Sequence, residues 1–278
     1  SDWLINTVRS NYVSLNKSKV SFYDGAAKLT HLFSEKTKLT LSTYVSHDEF
    51  RLQGDTTYRW NTNLSSLRLD HEFSKIFTGA LHVGYGSYQY DVFDKDPFTG
   101  FNLGYKISYP SAKADFHLRL LNHKMNFGLQ STYYNFNPGT LTPSSIDSDK
   151  KAIQMQLQKS LESGIYMSDE FDVASKIHLD LGLRASFFQS LGPGMVNTYK
   201  PGLPKETLTL IDTLNFTKGQ TIKLFKNLEP RFGMRYKLSD DASIKVGYNR
   251  IFQYLQLITN TTAVTPVDIW QPSGYHFK

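Results

Sequence analysis

The sequence contains no cysteine. That excludes a disulfide framework, a thiolate metal site and a cysteine nucleophile. No apolar run approaches the ~18 residues of a membrane-spanning helix. No block of lysine and arginine marks a nucleic-acid surface, because the net charge of +6 is spread along 278 residues. No nucleic-acid partner is therefore expected. The start, Ser1-Asp2-Trp3-Leu4-Ile5-Asn6, has no charged leader, apolar segment or cleavage site. The end, Gly274-Tyr275-His276-Phe277-Lys278, shows neither a helix stop nor a closing strand, so both ends read as cut. Motifs are equally scarce. There is no His-Glu-x-x-His, no Gly-x-Ser-x-Gly elbow, and no Lys-Ser/Thr behind Gly84-Tyr85-Gly86, whose glycines read as making room or relieving twist. No catalytic residue, cofactor or metal site is nominated, and the chain is not expected to be an enzyme.

Aromatic side chains are plentiful, with 19 Phe and 17 Tyr, and they sit in period-two patterns. Leu39, Leu41, Thr43 and Val45 alternate with polar residues, as do Phe77, Leu81, Val83 and Tyr85. The same holds for Ala112 to Leu120, for Met125, Phe127, Leu129 and Tyr133, and for Ile177 to Phe187. Leu228, Pro230, Phe232, Met234, Tyr236 and Leu238 alternate before the polar turn Ser239-Asp240-Asp241-Ala242, and the pattern restarts at Ile244, Val246 and Tyr248. Ile153 to Leu161 is the one stretch with a helical period, and it also alternates.

The connections have a sidedness. Short polar turns fall at Ser34–Thr37, near Ser74-Lys75, at Asn122–Lys124, at Val173–Lys176 and at Ser239–Ala242. Long irregular stretches lie between them, at His47–Thr57, Asp91–Thr99, Asn137–Lys151, Ser190–Phe225 and from Thr259 onward. Strict alternation places all the tight turns at one end of about ten up-and-down strands. Transmembrane β-barrels have this form, with ~10-residue strands, short periplasmic turns and long extracellular loops. The aromatic clusters at the long-loop ends (Tyr85, Tyr88 and Tyr90; Tyr133, Tyr134 and Phe136; Phe187 and Phe188) read as an interfacial girdle. A soluble β-sandwich or propeller alternates too, but its strands are shorter and its loops lack this sidedness.

Polar candidates have bland readings. His82, His117 and His178 fall on polar strand faces, and the eight histidines form no metal-ligand spacing. Asp91-Val92-Phe93-Asp94-Lys95-Asp96 offers three carboxylates but neither the glycine nor the downstream Glu of a calcium loop, and reads as a solvated acidic loop. Arg231, Arg235 and Lys237, with Asp180 and Arg184 on another strand, read as a charged ladder facing a lumen or solvent.

Asn227 to Ser273, "NLEPRFGMRYKLSDDASIKVGYNRIFQYLQLITNTTAVTPVDIWQPS", closely resembles a stretch of the TonB-dependent outer-membrane receptors. The resemblance is to the branch that often carries a carboxypeptidase-regulatory-like domain before its plug. Ser163–Gly194, Lys124–Gly139 and Phe22–Tyr44 resemble earlier hairpins of the same barrel, in the family's order. The resemblance implies a slice of a twenty-two-stranded transmembrane β-barrel, with all 278 residues in the barrel and the plug domain and its coupling box absent. It further implies residence in the bacterial outer membrane and contact with outer-membrane lipid. The parent protein would import a large scarce solute, an unknown small or oligomeric ligand, through a plugged lumen coupled to the TonB complex. Long loops would capture it, with Tyr133, Tyr134 and Tyr199 as stacking surfaces unless they belong to the girdle. A passive porin and a soluble β-rich binding or adhesion module stay open as alternatives.

Overall fold

A computed structural model describes residues 18–51, 56–258 and 269–277. The strands in chain order are β1 (Lys19–Ser34), β2 (Thr37–Arg51), β3 (Thr57–Ser74), β4 (Phe77–Phe93), β5 (Phe101–Leu120), β6 (His123–Pro143) and β7 (Ile153–Gln154). Then come β8 (Gln158–Ala174), β9 (Ile177–Leu191), β10 (Gly194–Tyr199), β11 (Leu210–Phe216), β12 (Thr221–Lys237), β13 (Ser243–Asn249), β14 (Leu255–Ile258) and β15 (Ile269–Pro272). Ten of them form one antiparallel meander in the order β1-β2-β3-β4-β5-β6-β8-β9-β12-β13, with β7 paired to β6. β10–β11 and β14–β15 are separate hairpins. The stretch from Ile153 to Leu161 is strand, not helix.

Residues directly opposite each other in a sheet share a face. One register row runs Leu228, Ala185, Ile165, Leu129, Ala114, Leu81, Leu69, Leu39 across eight strands, all of it apolar. The next row, one residue along and so on the other face, runs Glu229, Arg184, Tyr166, Gly128, Asp115, Ala80, Asp70, Lys38. The β14–β15 hairpin lies on this second, inner face, where Leu255 and Trp270 pack against Tyr90, Tyr105 and Phe136. On the outer face Leu81, Leu129, Ile165 and Leu228 are 51–64% exposed, and no described element covers them. A sandwich would bury such a face against a second sheet. A bilayer is the solvent that suits it, at about 1.5–3 kcal/mol for each large aliphatic side chain removed from water. Two pairs of outer-face hydroxyls satisfy each other across strands, as lipid favours. Thr43 Oγ1 lies 3.1 Å from Ser65 Oγ, and Ser131 Oγ 3.1 Å from Ser163 Oγ.

The short turns fall where expected, with the register of one corrected. The β5–β6 turn is Leu121-Asn122, with Leu121 in the left-handed region at φ 51°, and His123 and Lys124 already belong to β6. The long connections are shorter than the sequence suggested. β2 continues to Arg51, β4 to Phe93, β6 to Pro143, and Ser190–Phe225 contains the β10–β11 hairpin and the start of β12. β3 to β6 are 17 to 21 residues long, about 55–70 Å of chain at ~3.3 Å per residue. An apolar band about 25 Å tall needs only about ten tilted residues. The strands therefore extend well past the membrane on the long-loop side.

Their pattern changes there. Near the short turns the outer positions are apolar, and about ten residues further they become polar: Ser87, Gln89 and Asp91 on β4, Lys106 and Ser108 on β5, Asn135 on β6. The inner positions change the opposite way, from charged to aromatic. Above the membrane the wall has water outside and an apolar interior, so the same strand must reverse its hydrophobic parity. This corrects the girdle. Tyr85, Tyr133 and Phe187 face outward, whereas Tyr88, Tyr90, Tyr134, Phe136 and Phe188 face inward.

Candidate functional site: an aromatic chamber above a charged lumen wall

The parity reversal builds an aromatic wall on the inner face at the long-loop end. Phe50 stacks on Tyr58 at 5.2 Å and on Trp60 at 5.9 Å. Tyr90 stacks on Tyr105 at 5.1 Å, and Tyr134 on Phe136 at 5.8 Å. Tyr109 spans the gap to Tyr134 and lies over Gly86, where any Cβ would collide with its ring. Gly86 thus makes room for a neighbouring ring, as its pairing with Gly84 suggested.

The segment after β13 turns inward and docks on this wall. Tyr254 stacks on Phe188 at 4.9 Å and 10°. Its hydroxyl lies 2.8 Å from Ser186 Oγ and accepts from Asn227 Nδ2 at 2.8 Å. The Tyr105 hydroxyl donates to the Trp270 carbonyl at 3.2 Å and accepts from the Trp270 N–H at 3.1 Å. Burial pushes the Tyr105 phenol well above its ordinary value, so it keeps the proton this double role needs.

Lower on the same face lies the charged row. Arg184 reaches Glu162 and Glu229, each at 3.7 Å, and its guanidinium lies over Gly164. Tyr134 donates to Glu162 at 3.3 Å. Tyr166 donates to Asp115, which also pairs with Lys113 at 3.0 Å. The expected ladder is therefore partly assembled. Arg231, Arg235, Lys237, Asp180 and Arg184 share the inner face, but Arg184 pairs with Glu162 and Glu229 and not with a member of that set. Among the described residues Arg231 and Arg235 carry no ion pair, and Lys237 pairs with Asp240 across its own turn. His82, His117 and His178 are on this face as well, His178 between Asp172 at 2.9 Å and Glu170 at 3.3 Å.

The acidic loop is closed on itself. Asp94 accepts from the Asp96 N–H and from Thr56 Oγ1, and Asp96 accepts from the Phe98 and Thr99 N–H groups. Tyr199, on β10, lines a separate cleft of about 410 Å³ with Gln158, Asn197, Gln271 and His276. Tyr133 faces outward and has no part in the chamber. The inward aromatics were detectable in the sequence as a switch from odd to even positions within one strand, for instance Leu81, Val83, Tyr85 and then Tyr88, Tyr90, Val92.

Residues 2–275 match the family model for the TonB-dependent receptor-like β-barrel. The chain belongs to this family. It is thus part of a bacterial outer-membrane β-barrel of the TonB-dependent receptor type. The match runs through the barrel, and the branch with a carboxypeptidase-regulatory-like domain is not decided by it. No curated relative matches the chain in sequence. Among solved structures, the barrel resembles the ferric-catecholate import receptor Fiu from E. coli K12 with a TM-score of 0.61 at 11% identity, covering 84% of this chain and 47% of that one. It resembles BauA, the ferric preacinetobactin receptor from Acinetobacter baumannii, with 0.57 at 14%, covering 93% and 43%. For the copper transporter OprC the values are 0.61 at 13%, covering 85% and 38%. At such identities the likeness establishes the fold alone, and the chain spans less than half the length of these receptors. The soluble alternative is overturned by the uncovered apolar face together with this match.

Proposed function

We propose that the parent protein is an energy-coupled import receptor in which this chain supplies the wall that receives the ligand. The observation carrying this reading is the aromatic wall on the inner face at the long-loop end, covered in part by the β14–β15 hairpin and only half-buried at Phe50, Tyr58 and Trp60. Stacked rings such as Phe50, Tyr58 and Trp60 offer flat faces to a large solute. The charged row below, with two carboxylates around Arg184, is a polar surface suited to a lumen-filling plug domain. Coupling to the TonB complex would then move that plug.

The solved neighbours that carry ferric siderophores make a ferric catecholate chelate the first ligand to test. The full-length receptor should show fluorescence quenching on chelate binding, with Trp60 and Trp270 as reporters, and Phe50→Ala with Tyr58→Ala should weaken binding at least tenfold. Uptake by energised cells should stop when the proton gradient is collapsed. Uptake that persists without the gradient would make the protein a passive pore. Absence of quenching would reject this ligand class.

A further inference from the structure

Two of the short turns repeat one motif on the lipid face. His31-Leu32-Phe33-Ser34 ends β1, and His71-Glu72-Phe73-Ser74 ends β3. Each carries a bulge at its phenylalanine, between Leu32 and Ser34 in one and between Glu72 and Ser74 in the other. Each serine hydroxyl accepts a turn N–H, from Lys36 at 3.2 Å and from Phe77 at 3.1 Å. In both, the imidazole meets the phenylalanine edge-on at 4.7 Å.

The two motifs also lie at one depth. His31 shares a row with Leu39 and Leu69, and His71 stands two residues beyond Leu69 toward its turn. Two strands of lateral offset are about 9.6 Å and two residues of stagger about 6.6 Å, so the histidines are level for a strand tilt of about 35°. That tilt is the one barrel strands adopt.

Across β3 to β6 the aromatic belt at this end is made of phenylalanine. Phe73, Phe77, Phe116 and Phe127 stack in sequence at 5.0–5.9 Å. Phe has no polar tip to meet lipid headgroups, whereas the Tyr and Trp usual at an interface do. Here the neighbouring imidazole supplies the tip, and imidazole ordinarily changes charge between pH 5 and 8.

The surroundings leave these two rings available. On the outer face His31 is opposite Leu39, and His71 is opposite Thr37 and Gly79, none of them charged. Thr37 Oγ1 holds Nδ1 of His71 at 2.8 Å and leaves Nε2 free of any described partner. Glu35, Lys36 and Lys75 in the turns, and Glu72 with the paired Lys38, Arg68 and Asp70 on the inner face, are the other ionisable groups nearby. His123 differs, because Asp169 already faces it at 2.7 Å.

We propose that the repeated His-x-Phe-Ser turn is a titratable phospholipid-headgroup site, in which His31 and His71, once protonated, bind lipid phosphates of the periplasmic leaflet. The proposal rests on the outer-membrane placement of the barrel and is independent of the imported ligand. Anionic lipid should therefore concentrate at these turns as the pH falls.

The test uses the full-length receptor with a fluorophore on Ile76→Cys, reconstituted in bilayers doped with brominated phosphatidylglycerol or brominated phosphatidylcholine. Quenching reports the lipid beside the His71 turn. Preference for phosphatidylglycerol should rise about fivefold from pH 7.5 to 5.5, the increment of one cation near an anionic surface. His71→Gln should abolish the rise, and His71→Arg should hold the preference high at both pH values. Heat-modifiable gel mobility verifies folding, and if the Gln variant fails to fold, pH independence of the Arg variant decides the matter. A rise that survives in His71→Gln, or no rise in the unsubstituted protein, would overturn the proposal. Equal occupancy by inorganic phosphate in detergent would overturn the lipid assignment in favour of a free-anion site.

Discussion

Removing one oxygen should loosen the element that docks inside the barrel. Tyr254 is 5% exposed and Ser186 fully buried, and Ser186 Oγ has the Tyr254 hydroxyl as its partner. Tyr254→Phe keeps the ring stack on Phe188 but deletes the bonds to Ser186 and Asn227. Two net hydrogen bonds are worth about 0.5–1.5 kcal/mol each, and a stranded buried hydroxyl costs at least as much, so the docked segment should lose about 2–3 kcal/mol. Hydrogen exchange of peptides spanning 250–258 in the reconstituted full-length receptor should accelerate about 30- to 150-fold, while peptides in β9 stay protected. Adding Ser186→Ala removes the orphaned hydroxyl and should recover about 1 kcal/mol, a coupling read from the double-mutant cycle. Unchanged exchange in Tyr254→Phe, or strictly additive effects in the double variant, would refute the view that this hydroxyl latches the segment.

Leu121 is fully exposed in a left-handed conformation that costs a β-carbon about 1–2 kcal/mol. Leu121→Asn should therefore raise the unfolding midpoint, and a lower midpoint would show that the conformation is not strained. Glu49, on the outer face above the membrane, is held down to about 2, chiefly by the Arg59 side-chain hydrogen bond and then by Lys19. A carboxylate more acidic in the folded state contributes stability above its unfolded pKa and loses it as the pH falls through the folded value. Exchange at the upper ends of β1–β3 should accelerate between pH 4 and 2 in the native protein and show a smaller change in Glu49→Gln, and equal acceleration in both would reject the pairing. Among the described residues β1 and β13 each pair on one side only, so this chain alone should give no stable ten-stranded channel in planar bilayers. Steady single-channel conductance would contradict that expectation.

Period two along each segment, with tight turns at one end only, was enough to determine an up-and-down sheet with one apolar face and to favour a barrel wall over a sandwich, because lipid outside and water or polar protein inside impose that period on a strand. The same logic puts His82, His117, His178 and Arg231 on the polar face, which in the structure is the inner one. Strand ends were misjudged where that constraint lapses: beyond the bilayer β4 carries Ser87, Gln89 and Asp91 outward, and polar residues there resemble a loop although the backbone ladder continues. Partners across the sheet were not legible at all. Glu162 and Glu229 lie 67 residues apart by subtraction of their numbers, and only the register of β8, β9 and β12 brings both to Arg184. Likewise the sequence determined that Tyr254 and Trp270 follow the last long hairpin, but not that they fold inward. That was decided by the tertiary structure, because Trp270 packs on a wall that β3 to β6 assemble from residues scattered between Tyr58 and Phe136, and Tyr254 on Phe188 of β9 and Phe225 of β12.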